Sequence, residues 1–281
     1  MPQLILYAAP FFIFFILLEW VLILREHKKY PSRNTWASLG VGIGTLTVDF
    51  IAKSALVAAV FYLCSFSFFK LGTQWHIWVL CVIVIDFCTY IGHRLGHGFR
   101  FFWASHVPHH SPQVYNLSVG IRLSWLQHLK VFVFAPVPLL GFDPMMILVC
   151  YQATVIYQFW IHTELIGKLG WVEWIFVTPS NHRVHHAVNP QYINKNFGAV
   201  LIIWDRMFGT YEPEVEKPVY GITRQLNSYN PFVITFHEFA DLVRDIRKTK
   251  NWKHRWNYLF KQPGWQPKTE LHVQSTHQRG T

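Results

Sequence analysis

The sequence predicts an all-α integral membrane protein with four or five transmembrane helices and a cytosolic helical cap rich in His. Three observations carry this expectation. Apolar residues make up 52% of the 281 positions and charged residues only 14%, against roughly a quarter charged in soluble domains. Apolar runs long enough to cross a bilayer recur from the N-terminus onward. Half of the sixteen His fall into three tight groups. A formal net charge of +10 would suit nucleic acid, but beside membrane-length runs it is explained by anionic headgroups and the positive-inside rule, so no nucleic-acid partner is expected. One domain is read over residues 1–265, with 266–281 a loosely ordered tail.

Leu4 to Leu24 reads as a first spanning helix, with Glu19 its single charge. Met1-Pro2-Gln3 offers no basic n-region and Glu19-Trp20 no small-residue cleavage site, so the segment reads as a retained anchor. The basic group Arg25, His27, Lys28, Lys29 and Arg33 then marks the cytosolic flank. Trp36 to Phe69 reads as one long tilted helix in which Asp49 and Lys53 pair four residues apart. Trp75 to Tyr90 returns the chain to the cytosol. Leu123–Leu140 and Met145–Trp160 form an antiparallel helical pair, broken at Pro136, Pro138, Gly141 and Pro144. Further on, Phe236, Phe239, Leu242, Val243, Ile246, Trp252, Trp256 and Leu259 recur at helical spacing opposite Arg244, Arg247, Lys248 and Lys253. That pattern fits either an interfacial helix or one packed on its own domain. Cys64, Cys81, Cys88 and Cys150 lie in apolar stretches without a C-x-x-C pair and read as packing residues.

His93 and His97, at i and i+4, project from one helical face. His106-Val107-Pro108-His109-His110 and His182-Arg183-Val184-His185-His186 are two copies of H-x-x-H-H, in which the adjacent pair can splay toward two ions. His162, at the end of the returning helix, is a ninth ligand candidate at the same depth. Nine imidazoles are too many for one ion and suit two, at four or five each. Zinc needs four at most, or three and a water; imidazole also suits copper, iron and nickel. Two redox ions with open positions fit oxygen chemistry. The Glu-x-x-His pattern of soluble di-iron bundles is absent. Asp86, seven residues before His93, is the expected hydrogen-bond partner of a ligand ring; Glu164, Asn196 and Asp205 are further candidates. Arg94 and Arg183 read as solvated, snorkelling side chains.

With these residues in place, the chain resembles the fatty acid hydroxylase and sterol desaturase superfamily, marked by one H-x-x-x-H and two H-x-x-H-H boxes. Trp103-Ala104-Ser105-His106, Tyr115-Asn116-Leu117-Ser118, Gln158-Phe159-Trp160-Ile161-His162-Thr163-Glu164, Asn196-Phe197-Gly198 and Leu201-Ile202-Ile203-Trp204-Asp205 look most like its alkylglycerol monooxygenase branch. That branch carries Glu after the second His of the first box, where this chain has Gly98. The resemblance implies two iron ions, O2, a lipid substrate drawn from the bilayer, and an external reductant, either a tetrahydropterin or a ferredoxin or cytochrome chain. The implied reaction oxygenates a C–H bond of an ether lipid or fatty acyl chain. A sterol or fatty acyl desaturase or hydroxylase is the rival enzyme, and a membrane metal-binding or transport protein the rival outside enzymes. The host would be a bacterial plasma membrane or the endoplasmic reticulum.

Overall fold

The structure, a computed structural model, describes residues 4–27 and 29–267. Helices dominate these residues; they hold no β-strand, only the isolated bridges Phe176–Leu201 and Ala187–Tyr220. Three helices are long and apolar enough to cross a membrane: α1 (Leu4–Arg25), α2 (Ser32–Cys64) and α3 (Trp75–Gly98). Their outer faces expose Phe11, Phe14, Ile43, Phe50 and Ile51, the arrangement expected where lipid replaces water as solvent. At 1.5 Å per residue the 33 residues of α2 run about 50 Å, well beyond a hydrocarbon core of roughly 30 Å. Asp49 does not take Lys53 as its partner. Its Oδ1 accepts from His128 Nε2 at 2.7 Å and Gln127 Nε2 at 3.3 Å, because the neighbouring segment presents both donors beside it.

The expected helical pair is only half α-helical. Instead of a helix over Leu123–Leu140, the chain makes a 3-10 turn at Gln127–Phe134 and then the single α-helical turn α6 (Pro136–Leu139). Pro136 and Pro138 lack the N–H groups that a continuous α ladder needs.

 The chain turns at Gly141 and enters α7 (Pro144–Trp160), where Asp143 caps the helix by accepting from Met145 N at 2.8 Å and Met146 N at 3.1 Å; such caps satisfy amide groups that have no partner within the helix. Leu71 N donates to Gly141 O, so the tip of this hairpin meets the loop joining α2 to α3. Around it Cys81, Ile85, Val137, Phe142, Met146 and Cys150 form a buried apolar cluster. All four Cys are free thiols, with Cys64 packed against the same cluster.

The opposite end is built from short elements. After α3 come α4 (Arg100–Ala104), α5 (Val107–His110), α8 (Pro179–His185) and α9 (Ile203–Met207). Thr178 and Asn181 form a reciprocal capping box on α8, with Pro179 at its first position, which starts the second H-x-x-H-H helix at a fixed residue. The amphipathic pattern near the C-terminus is two helices, α10 (Pro231–Lys248) and α11 (Trp252–Phe260), each begun by an Asn cap. Ile234 and Leu242 of α10 are buried, while Phe232, Val243, Trp252 and Trp256 are exposed. Arg100 anchors α10 through Glu238 and Asp245, both at 2.7 Å. The tail expected at 266–281 lies, beyond Pro267, outside the described residues.

Candidate metal centre

All nine His meet at this end, in two groups. His93, His97, His106, His110 and His185 form one, and His109, His162, His182 and His186 the other; within each, the ligand nitrogens lie within 4.8 Å of one another. The two H-x-x-H-H helices explain the division. In α5 and its preceding residue, His106 and His110 share the first group and His109 turns to the second. In α8 the arrangement is reversed, with His182 and His186 in the second group and His185 in the first. Each short helix thus supplies an i, i+4 pair to one group and crosses its remaining imidazole to the other.

The spacing within the groups suits coordination. Nε2–Nε2 separations are 3.1 Å for His106–His110 and His110–His185, 3.2 Å for His109–His162, 3.0 Å for His162–His182 and 3.2 Å for His182–His186. Nitrogens held at about 2.1 Å from one ion lie roughly 3.0–3.4 Å apart. Nε2 of His93 and of His97 are buried without a hydrogen-bond partner, a costly state for a polar atom unless a ligand meets it. Burial, reinforced by neighbouring imidazoles, holds His106, His109, His110, His182 and His186 well below the ordinary imidazole pKa, and burial takes His162 and His185 down to about 4. The rings are therefore neutral near pH 7 and offer lone pairs. Nine imidazoles and no carboxylate make a donor set that fits first-row redox metals.

Backbone carbonyls orient three of the rings. His93 Nδ1 bonds Phe197 O at 2.8 Å, His185 Nδ1 bonds Lys195 O at 2.9 Å, and His162 Nδ1 bonds Gln158 O at 2.7 Å. An Nδ1–H donated to a carbonyl leaves the Nε2 lone pair pointing into the group. The carbonyls of Lys195 and Phe197 belong to one loop, which the expected carboxylates support from behind. Asp205 accepts from Phe197 N at 2.8 Å, Gly198 N at 2.7 Å and Thr210 Oγ1 at 2.6 Å. Asn196, at φ +54°, ties the loop to Asn181 O and to both backbone groups of Glu212. A Cβ on Gly198 would stand 2.6 Å from Leu201 O, so glycine alone permits this close turn.

Asp86 departs from its expected role. Its carboxylate accepts from Val200 N at 2.8 Å, Leu201 N at 3.1 Å and Trp204 Nε1 at 2.8 Å, and the ring nitrogen of His93 goes to Phe197 instead. A helix-borne carboxylate facing a loop with free amides satisfies several donors at once, which one imidazole could not offer. Glu164 is exposed and accepts from Tyr220 at 3.2 Å. Arg183 is not solvated: it is buried, paired with Glu214 at 2.7 Å, and donates to Thr163 O and Ile166 O. Arg94 is exposed and donates to Tyr90. Gly98 has open space around its Cβ position.

Several supporting residues escape sequence reasoning. Glu19, 3% exposed, accepts from Leu117 N at 2.8 Å and Thr163 Oγ1 at 2.6 Å, fastening α1 beside His162. Its one signal was a charge inside an apolar span, which requires a partner. Buried Arg122 donates to Pro108 O and Ser111 Oγ, fixing α5. Tyr115 packs on His162 and His186 and donates to Ile161 O at 2.9 Å.

Residues 78–210 match the fatty acid hydroxylase family model. Alkylglycerol monooxygenase from Homo sapiens is 37% identical over 271 residues, covering 95% of this chain and 61% of that protein. Its counterpart in Danio rerio is 36% identical, over 95% and 60% respectively. An ornithine lipid hydroxylase of Rhizobium tropici is 30% identical over 52% of this chain and 45% of its own. The chain thus spans about 60% of the length of the alkylglycerol monooxygenases it matches. No solved structure matches. The family match runs from α3 to Thr210 and encloses all nine His, so this chain carries a fatty acid hydroxylase domain and is a homologue of the alkylglycerol monooxygenases.

Proposed function

We propose that this chain is a membrane-bound oxygenase that holds two iron ions and inserts one oxygen atom of O2 into a C–H bond of a lipid, an alkylglycerol-type ether lipid first and a fatty acyl chain second. The observation that carries the reading is the division of nine neutral imidazoles, eight of them buried, into groups of five and four at one end of a membrane-embedded fold. The alkylglycerol monooxygenase relatives support the ether-lipid substrate; the match to the fatty acid hydroxylase family supports the acyl alternative. In this reading R–H, O2, two electrons and two protons give R–OH and water. A tetrahydropterin, or a ferredoxin or cytochrome chain, supplies the electrons.

His93, His97, His106, His110 and His185 would hold one ion and His109, His162, His182 and His186 the other. Bound iron supplies the capacity to reduce O2 and oxidise an unactivated C–H bond. The protein's own contribution is positional. Neutral rings need no proton release at pH 7 before binding metal. The 195–198 loop, Asp86 and Asp205 fix ring orientation, and the buried surroundings exclude water. Oxidation at the carbon beside an ether oxygen gives a hemiacetal, which collapses to an aldehyde and a free glycerol hydroxyl.

Three full helices and the hairpin ending in α7 make five passes in this reading. The basic residues Arg25, Lys29 and Arg33 lie at and between the facing ends of α1 and α2, on the His side, and by the positive-inside rule they support a cytosolic location for that end. Residues 1–265 then form one domain. The test is iron content of detergent-purified protein by elemental mass spectrometry, with O2 uptake on an alkylglycerol, a sterol and a fatty acid, each with reduced pterin or a ferredoxin system. About two irons per chain and uptake on the alkylglycerol are expected; uptake on none of the three after iron loading would overturn the reading.

A further inference from the structure

Lys130 is neither a ligand candidate of the metal centre nor one of the residues that orient its rings. It lies on the 3-10 turn Gln127–Phe134, which packs against α3. Its neighbours Leu129, Val131 and Phe132 are 37%, 46% and 51% exposed, so they face the lipid side, whereas Lys130 is partly buried and turned toward α3. Gly96, between His93 and His97, is where it arrives: a Cβ there would lie 3.2 Å from Lys130 Nζ and 3.7 Å from the His106 ring. The ammonium and a ring of the five-His group therefore touch the same point of the helix. The missing side chain at Gly96 makes room for both.

Among the described residues this ammonium has no hydrogen-bond or ion-pair partner. Three N–H donors partly withdrawn from solvent with no protein acceptor are unfavourable, and long cationic side chains beside apolar surface ordinarily reach for water. Here the side chain points toward α3, beside the candidate metal centre, on a turn whose Leu129, Val131 and Phe132 are exposed.

We propose that Lys130 is a substrate-positioning residue: its ammonium donates hydrogen bonds to the oxygens at the polar end of the lipid, holding the adjacent carbon against the five-His group. This rests on the lipid-oxygenase reading above. It adds the requirement that the substrate carry hydroxyl or ether oxygens close to the carbon oxidised, which a bare hydrocarbon chain does not.

The test compares the unaltered protein with Lys130→Met, similar in length but without donors, and Lys130→Arg, which keeps them. Binding of 1-O-hexadecylglycerol and of hexadecane to detergent-solubilised, metal-free protein is read by quenching of tryptophan fluorescence, and iron uptake is measured separately. Losing a charged hydrogen bond should weaken hexadecylglycerol binding about 10-fold or more in Lys130→Met, with hexadecane binding and iron uptake unchanged and Lys130→Arg closer to the unaltered protein. Equal hexadecylglycerol affinity in the unaltered protein and Lys130→Met would overturn the proposal alone. Equal weakening for both ligands, or lost iron uptake, would also overturn it, since the effect would then be structural. Failure of the unaltered protein to bind hexadecylglycerol would overturn the lipid reading itself.

Discussion

Asn at position 86 is the substitution that most directly separates a carboxylate bonded to a His ring from one that clamps a loop. Asp86 Oδ2 accepts from both Leu201 N and Trp204 Nε1, and Oδ1 from Val200 N. In Asp86→Asn the single amide oxygen is best placed at the double site, which leaves the NH2 group against Val200 N–H. One charge-assisted bond is lost, worth about 1.5–3 kcal/mol, and the other two weaken toward the neutral value of about 1 kcal/mol. Allowing for partial relaxation, about 3 kcal/mol is expected. At about 2–4 °C per kcal/mol for a chain of this size, the melting midpoint falls by roughly 6–12 °C. The loop that moves carries the Phe197 carbonyl bonded to His93, so iron affinity should fall as well, by about 10-fold. Thermal melting in detergent and elemental analysis read the two effects together. A melting midpoint and iron content both equal to those of the unaltered protein would refute the clamp.

Other expectations concern the ligands, the pH response and α1. His109→Ala and His186→Ala should each lower bound iron and abolish turnover, whereas exposed His76→Ala should do neither; full activity in His186→Ala would sink the shared centre. Metal-free protein should lose stability as pH falls from about 6.5 to about 4. In that window unfolded His162 and His185 bind protons that the folded protein, with pKa near 4, does not, a loss of up to about 3 kcal/mol for each. A melting midpoint flat from pH 7 to pH 4.5 would contradict it. Glu19→Leu strands the buried Leu117 N–H and Thr163 hydroxyl and should destabilise the protein by about 2–4 kcal/mol, seen as a lower melting midpoint; an unchanged midpoint would make the contact incidental.

The sequence by itself determined the helical membrane character and the identity of the nine clustered His, because both are local. Apolar length decides whether a segment can cross a bilayer, and i, i+4 spacing decides which imidazoles share a helix face. Asp143 and Thr178 cap the helices that begin beside them, a local signal that the reading of the apolar runs did not use. The hairpin was misread because the apolar composition of Leu123–Leu140 says nothing of how Pro136 and Pro138 interrupt the ladder. Only the tertiary structure decided which imidazoles group together, since His109 and His185 each join rings from other segments. It also decided the partners of the buried charges. Asp86, Asp49, Glu19 and Arg183 each satisfy donors or acceptors on distant segments, and a charge inside an apolar stretch requires a partner without specifying where in the chain it lies.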